Sequence, residues 1–158
     1  MKKHYLFPNS FRKIGWLLLI PALSIGIPYL FFDWEPKFLE CNMFAIFEES
    51  FPGNSKSFAL VYTNIIDELA SILLIVSLIF IAFSKEKKED EFISKIRLDS
   101  LVWATYTNFI VLILSILFLF DLAFFWALIF NMFTILVFFV IRFNLVLYKS
   151  NKIISNEK

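Results

Sequence analysis

One charged segment lies between long apolar runs and limits what this chain can fold into. Ser84–Ser100 has the sequence SKEKKEDEFISKIRLDS, in which ten of seventeen residues are charged. The runs on either side of it hold almost no charge. Such a segment is expected to face water and to connect two pairs of membrane-crossing helices. The sequence therefore predicts an all-α integral membrane protein, a four-helix bundle that forms one transmembrane domain over residues 1–158.

Composition also favours a membrane protein over a soluble domain. Hydrophobic residues make up 59% of the chain, compared with about 45–50% in typical globular proteins. The mean hydropathy is +0.75, and 22 residues are Phe. A soluble domain of this length has too little interior to bury these side chains, so most are expected to face lipid.

The apolar runs predict four spans, at about residues 14–32, 60–83, 101–120 and 124–146. The first follows a basic segment, as in a secretory signal, but its length and the lack of a small-residue cleavage motif favour an uncleaved helix. Residues 33–57 then form an extracytoplasmic connector and residues 84–100 a cytoplasmic one. Within the first connector, Phe44, Phe47 and Phe51 have the spacing of a short helix whose aromatic face lies on the lipid headgroups.

The distribution of basic residues predicts the orientation. All fifteen Lys and Arg except Lys37 and Lys56 lie in the N-terminal segment, in the 84–100 connector or in the part that begins at Arg142. The positive-inside rule places these three regions in the cytoplasm. We therefore expect a multi-pass protein of the cytoplasmic (inner) membrane with both termini in the cytoplasm.

The 84–100 connector is the first candidate site. The acids Glu89, Asp90 and Glu91 precede an apolar stripe, which indicates that the third helix begins near Glu89. One interpretation is a docking surface for a cytoplasmic protein, and the other is a solvated turn whose lysines fix the topology. The docking candidates are Glu89, Asp90, Glu91, Lys95, Arg97 and Asp99.

Polar residues within the predicted spans form the second candidate site. Ionisable groups in lipid are costly and usually face a bundle interior or water. The ionisable ones lie near span ends, where the cost is lower, so hydrogen bonding between helices is favoured over an ion or proton path. Arg142 is expected to reach the cytoplasmic headgroups or to pair with Asp99. The candidates are Asn64, Asp67, Glu68, Asn108, Asn131 and Arg142.

Enzymatic and metal chemistry have little support in the sequence. Cys41 is the only cysteine and His4 the only histidine, which excludes an internal disulfide, a His-based triad and an HExxH zinc motif. No phosphate-binding loop or nucleophile elbow is visible. We predict a non-enzymatic protein without cofactor, catalytic residues or metal ligands. Cys41 is expected to be an unpaired buried thiol, the alternative being an intermolecular disulfide in an oxidising compartment.

Three segments resemble a family of small uncharacterised bacterial four-helix membrane proteins. They are Phe11–Trp16, Lys85–Leu101 and Phe130–Asn144. Members of that family are often encoded beside helix-turn-helix transcription regulators, so the resemblance implies such a regulator as the partner. The connector is also similar to an Asp-Glu-Arg motif of other regulator-linked membrane proteins. Phe92 stands in place of the arginine here, so the contact that the arginine makes is not implied for this chain.

The sequence as a whole predicts a regulatory or sensory membrane protein whose connector docks a cytoplasmic partner. The transcription regulator named above is the first candidate for that partner. A small oligomeric channel or transporter is one alternative, and an accessory subunit of a membrane complex is another. The net charge of +1 gives no indication of direct nucleic-acid binding. The chain is expected to lie in the lipid bilayer. The sequence leaves open whether it associates with further copies of itself.

Overall fold

The chain is mostly helical in a computed structural model of the protein, which describes residues 5–50, 54–87 and 89–156. In that part of the chain there are four α-helices, each long and apolar enough to cross a membrane. The shortest has 18 residues, about 27 Å at about 1.5 Å per residue, which approaches the thickness of the hydrocarbon core. The helices are α1 (Asn9–Phe32), α2 (Ile66–Phe83), α3 (Glu91–Phe118) and α4 (Asp121–Asn156).

A two-stranded antiparallel sheet follows α1 and precedes α2. Strand β1 (Glu40–Ser50) pairs with strand β2 (Asn54–Asn64), and Cys41 lies opposite Thr63 in the ladder. The prediction of an all-α protein is therefore wrong for this region. The strands include Phe44, Ile46 and Phe47 on β1 and Val61, Tyr62 and Thr63 on β2, residue types that favour extended backbone.

The sheet corrects two further predictions. Phe44 and Phe47 lie on β1 rather than on an interfacial helix, while Phe51 is outside the described residues. The predicted second span begins too early, because residues 60–64 are paired with β1 and α2 starts at Ile66. The Phe spacing was compatible with a helix, but cross-strand pairing decides the conformation here.

The chain divides into two compact units. The first consists of Met1–Leu17 and Ile75–Lys158, and the second of Leu18–Leu74. In the second unit, α2 begins directly after the hairpin, and the Asn64 side chain fixes this junction. Its amide donates to the Pro36 carbonyl at 3.0 Å and its oxygen accepts from the Ile66 backbone N–H at 3.2 Å.

In the first unit, α2 and α4 contribute a stack of buried aromatic rings. Phe139 stacks on Phe83 and on Phe143, with ring centroids 5.8 Å apart in both pairs. Phe139 and Phe143 are almost fully buried. Gly15 of α1 lies so close to α2 that an added Cβ would be 2.9 Å from the Ser77 carbonyl oxygen. A side chain at this position would have to displace backbone, so glycine permits the close approach.

Candidate functional site

The connector between α2 and α3 is attached to the segment that precedes α1. We call residues 84–90 the central connector. The Phe7 backbone N–H donates to the Phe83 carbonyl at 3.0 Å, and the Lys85 N–H donates to the Phe7 carbonyl at 2.9 Å. The Asn9 side chain donates to the Lys85 carbonyl at 2.7 Å. These bonds satisfy backbone groups that a free turn would leave to water, so the beginning of the central connector, at Ser84 and Lys85, has a fixed path.

A first ion pair joins the central connector to α1. Arg12 of α1 forms an ion pair with Glu86, and its other terminal nitrogen donates to the Asn144 side chain of α4 at 2.5 Å. One guanidinium thus holds the connector and two helices together. A planar guanidinium has several donors in a fixed arrangement, which suits this bridging role.

A second ion pair closes the connector onto α3. Arg97 donates to both carboxylate oxygens of Glu89, at 2.7 and 3.2 Å, and to the Ser84 carbonyl at 3.2 Å. The guanidinium also lies over the Phe143 ring, 5.1 Å from its centroid, a favourable placement for a cation. Glu89 accepts in addition from the Glu86 N–H at 3.0 Å. Because Arg97 is only 8% exposed, this pair belongs to the protein interior rather than to a docking surface.

The α3 start confirms the expectation that the third helix begins close to Glu89. Asp90 is the N-cap residue, and its carboxylate accepts from the Ile93 backbone N–H at 2.8 Å. This bond satisfies one of the free N–H groups of the first turn. Glu91, the first residue of α3, is the acid nearest the positive end of the helix dipole. Asp90 therefore has a structural role of its own.

Of the six docking candidates, three keep exposed side chains on α3 itself. They are Glu91, Lys95 and Asp99. At 100° per residue these positions fall within about 80° of one another, so they share one side of the helix. Phe92 and Leu98, which are 54% and 62% exposed, border the same side. We call these five residues the α3 face.

The intramembrane candidates fall into separate groups. Asn131 of α4 donates to the Asn108 side chain of α3 at 3.3 Å, which is the expected hydrogen bond between helices. Asp67 and Glu68 lie in the first turn of α2, where acids suit the helix dipole. Asn64 lies before that helix, at the junction described above, and is therefore not within the span to which it was assigned.

Arg142 contacts an aromatic ring rather than Asp99, while its expected reach to the cytoplasmic headgroups stays a prediction. Its guanidinium carbon lies 4.8 Å from the centre of the Trp103 ring, and in the described part of the chain it forms no ion pair. The alternative of a pairing with Asp99 is wrong, because the guanidinium lies over the indole one turn further along α3 instead. The Arg142 Nε is buried without a hydrogen-bond partner among the described residues.

An open cleft of about 590 Å³ lies beside the central connector. Sequence reasoning did not identify it, because it forms where residues from four segments of the first unit meet. In the sequence, the only indication of this cleft is that basic and amide side chains occur at the ends of apolar runs. Its lining consists of Asn9, Arg12, Lys13, Trp16, Glu86, Lys87, Ile93 and Leu147.

Comparison with known proteins adds no further assignment. No protein-family model, curated protein or solved structure matches this chain. Within residues 5–50, 54–87 and 89–156, no group of three or more His, Cys, Asp and Glu is placed to hold a metal ion. Cys41, on β1, is half-buried and has no disulfide partner in the described chain, so it is less buried than predicted.

Proposed function

We propose that this chain is a regulatory, non-enzymatic protein of the cytoplasmic membrane, with four spans and both termini in the cytoplasm. Support for the four spans comes from α1 to α4, which are long and apolar enough to cross a bilayer. Support for the orientation comes from the basic residues, of which only Lys37 and Lys56 fall on the other side. The central connector and the start of α3 then face the cytoplasm.

The α3 face is the proposed docking surface for a cytoplasmic protein. The observation that carries this proposal is that the start of α3 is held by a helix cap and an ion pair, while one side of the helix exposes both charged and apolar side chains. Glu91, Lys95 and Asp99 give an acid–base–acid series, and Phe92 and Leu98 leave apolar surface beside it. Charged residues around an apolar patch provide both partner selection and contact area.

Docking to a prearranged surface avoids part of the ordering cost of association. The Arg97–Glu89 ion pair and the Asp90 cap hold the first turns of α3 before a partner arrives. The expected partner surface presents a basic, an acidic and a basic group around an apolar contact. The family resemblance alone makes a helix-turn-helix transcription regulator the first partner to test.

A photo-crosslinking experiment tests this proposal. A photoreactive amino acid replaces Leu98, and crosslinking to a helix-turn-helix transcription regulator, the partner class proposed here, is followed in intact cells. We expect crosslinking to fall by about tenfold when Glu91→Lys and Asp99→Lys are combined, since both reverse the charge offered to the partner. The matched control combines Glu91→Asp with Asp99→Glu, which preserves both charges and is expected to retain the crosslink.

Two outcomes would count against docking at this face. One is equal crosslinking in the charge-reversed and charge-conserving variants. The other is a strong crosslink from Phe109, an exposed apolar residue further along α3, with none from Leu98. A reporter fused after Lys158 tests the orientation separately, and reporter activity on the periplasmic side would overturn it.

A further inference from the structure

The cleft beside the central connector, which we call the basic cleft, carries more positive than negative charge. Arg12, Lys13 and Lys87 line it together with a single acid, Glu86. Arg12 is paired with that acid, so the two lysines leave a net charge of two positive units. Lys13 and Lys87 are exposed, and neither belongs to an ion pair in the described part of the chain. The basic cleft thus offers two uncompensated ammonium groups to an anion.

The polar floor of the basic cleft is already fixed without a ligand. Arg12 is anchored by Glu86 and by the Asn144 side chain, and Asn9 is anchored by the Lys85 carbonyl. These bonds hold together the segments that carry Lys13 and Lys87, which both line the opening. Each ammonium group, on its flexible stem, can approach a phosphate there as a point charge.

The remaining lining of the basic cleft is apolar and indicates what kind of molecule would carry the bound anionic group. Trp16 is 46% exposed, and Ile93 and Leu147 are half-buried. Trp16 stands near the start of the apolar run of α1, the depth at which indole rings prefer the membrane–water interface. A small water-soluble phosphate has no apolar part that could contact this lining. A phospholipid, by contrast, places a phosphate and the beginning of its acyl chains at the same depth.

We propose that the basic cleft binds the phosphate headgroup of an anionic phospholipid from the cytoplasmic leaflet. Lys13 and Lys87 contact the phosphate, and Trp16, Ile93 and Leu147 contact the glycerol and the adjoining acyl segments. Basic pockets beside transmembrane helices on the cytoplasmic side are suited to anionic headgroups. This inference depends on the proposed orientation for the choice of leaflet, but not for the binding itself.

Native mass spectrometry of the full-length protein in mild detergent tests the binding. Dioleoyl phosphatidylglycerol and dioleoyl phosphatidylcholine are added at equal concentration. We expect the protein to retain the anionic lipid at least about tenfold more than the zwitterionic one. Lys13→Gln combined with Lys87→Gln is expected to remove this preference. The matched control, Lys95→Gln combined with Lys149→Gln, changes the charge equally at exposed lysines outside the cleft and is expected to keep it.

The remaining arms of the experiment separate the alternatives. Equal retention of the two lipids, or equal loss in the two double variants, would overturn the proposal. Displacement of the lipid by millimolar inorganic phosphate would show a free-anion site instead and would also overturn it. Thermal unfolding without lipid checks that the Lys13→Gln, Lys87→Gln protein folds normally, as expected for two exposed side chains. If the lipid binds but the Lys158 reporter is periplasmic, the site stands and only the leaflet assignment fails.

Discussion

The central connector directs the acids Glu86 and Glu89 into the protein, whereas the hairpin formed by β1 and β2 exposes apolar side chains. In the connector, Glu86 and Glu89 each form an ion pair with an arginine of the same unit. In the hairpin, Phe44, Leu60 and Tyr62 are between 61% and 73% exposed. The comparison shows that a charged connector can be tied to several elements while an apolar connector remains exposed.

The physical basis of this difference is the number of independent restraints on each region. The central connector is held by backbone bonds, two ion pairs and a helix cap that come from several elements. The hairpin is held mainly by its own ladder, and a two-stranded hairpin by itself has marginal stability. Phe58 of β2 also has a positive φ of 56°, which is unfavourable for a bulky side chain. We therefore expect the hairpin to be the less stable of the two.

The largest expected effect comes from removing Arg97. Its side chain and that of Glu89 are 10% and 17% exposed, so Arg97→Met leaves a mostly buried carboxylate without its cation. We expect a loss of about 3 kcal/mol in the free energy of unfolding, the lower end of the range for breaking a buried pair. Unfolding in mixed detergent micelles measures this loss. Lys95→Met, at an exposed lysine two residues away, is the control and is expected to change stability by less than about 0.5 kcal/mol. Equal effects of the two substitutions would contradict the view that the connector is the rigid region.

The next effect contrasts two glycines of α1 that belong to different units. A Cβ at Gly15 would lie 2.9 Å from both the Ser77 carbonyl oxygen and the Ile81 side chain, whereas a Cβ at Gly26 would lie 3.8 Å from Ala70. Gly15→Ala is therefore expected to destabilise the protein by about 1–3 kcal/mol through overpacking. Gly26→Ala is expected to be neutral or slightly stabilising, since alanine is the better helix former. The same unfolding titration measures both, and comparable losses would show that the close approach at Gly15 is unimportant.

Much of the helical architecture could be predicted because hydropathy and length determine which segments suit a bilayer. The beginning of α3 was also predictable, since Asp90 and Glu91 stand directly before the apolar stripe. The hairpin was missed because Phe44 and Phe47 have a helical spacing, although phenylalanine is also favoured in strands. The spacing within one segment does not reveal the strand with which that segment pairs. Strand pairing depends on a ladder from β1 to residues 54–64, and the two strands together exceed the window of about 11–18 residues over which periodicity is judged.

The candidate site was less predictable because its decisive contacts join distant parts of the chain. Glu86 and Arg12 are 74 residues apart in sequence, and nothing in the local charge pattern indicates that they meet. Glu89 and Arg97 are closer in sequence, but their pairing depends on how the connector folds back onto α3. Three residues that were expected to face a partner, Glu89, Asp90 and Arg97, therefore have structural contacts within the protein. Of the six candidates, only those on the α3 face stay available to a partner.

The smallest expected effect concerns a hydrogen bond across the exposed hairpin. The Tyr62 hydroxyl donates to the Glu40 carboxylate at 2.9 Å, and this bond is the main reason that the pKa of Tyr62 is raised above the ordinary tyrosine value. A raised pKa means that the folded state favours the protonated phenol, so the bond contributes stability below about pH 10 and loses it as the pH rises through the folded-state pKa.

Ultraviolet absorbance of tyrosinate, taken as the difference between the unmodified protein and Tyr62→Phe, follows this titration. We expect Tyr62 to ionise at higher pH than a free tyrosine, and Glu40→Gln to bring its titration closer to the ordinary value, because the amide carries no charge to repel the phenolate. Since the pair is exposed, salt should weaken the charge contribution while leaving the hydrogen bond in place. If Tyr62 titrates as a free tyrosine in the unmodified protein, the two strands are not held together at this point. The hairpin would then be less ordered than its ladder indicates, and the contrast with the central connector would become larger.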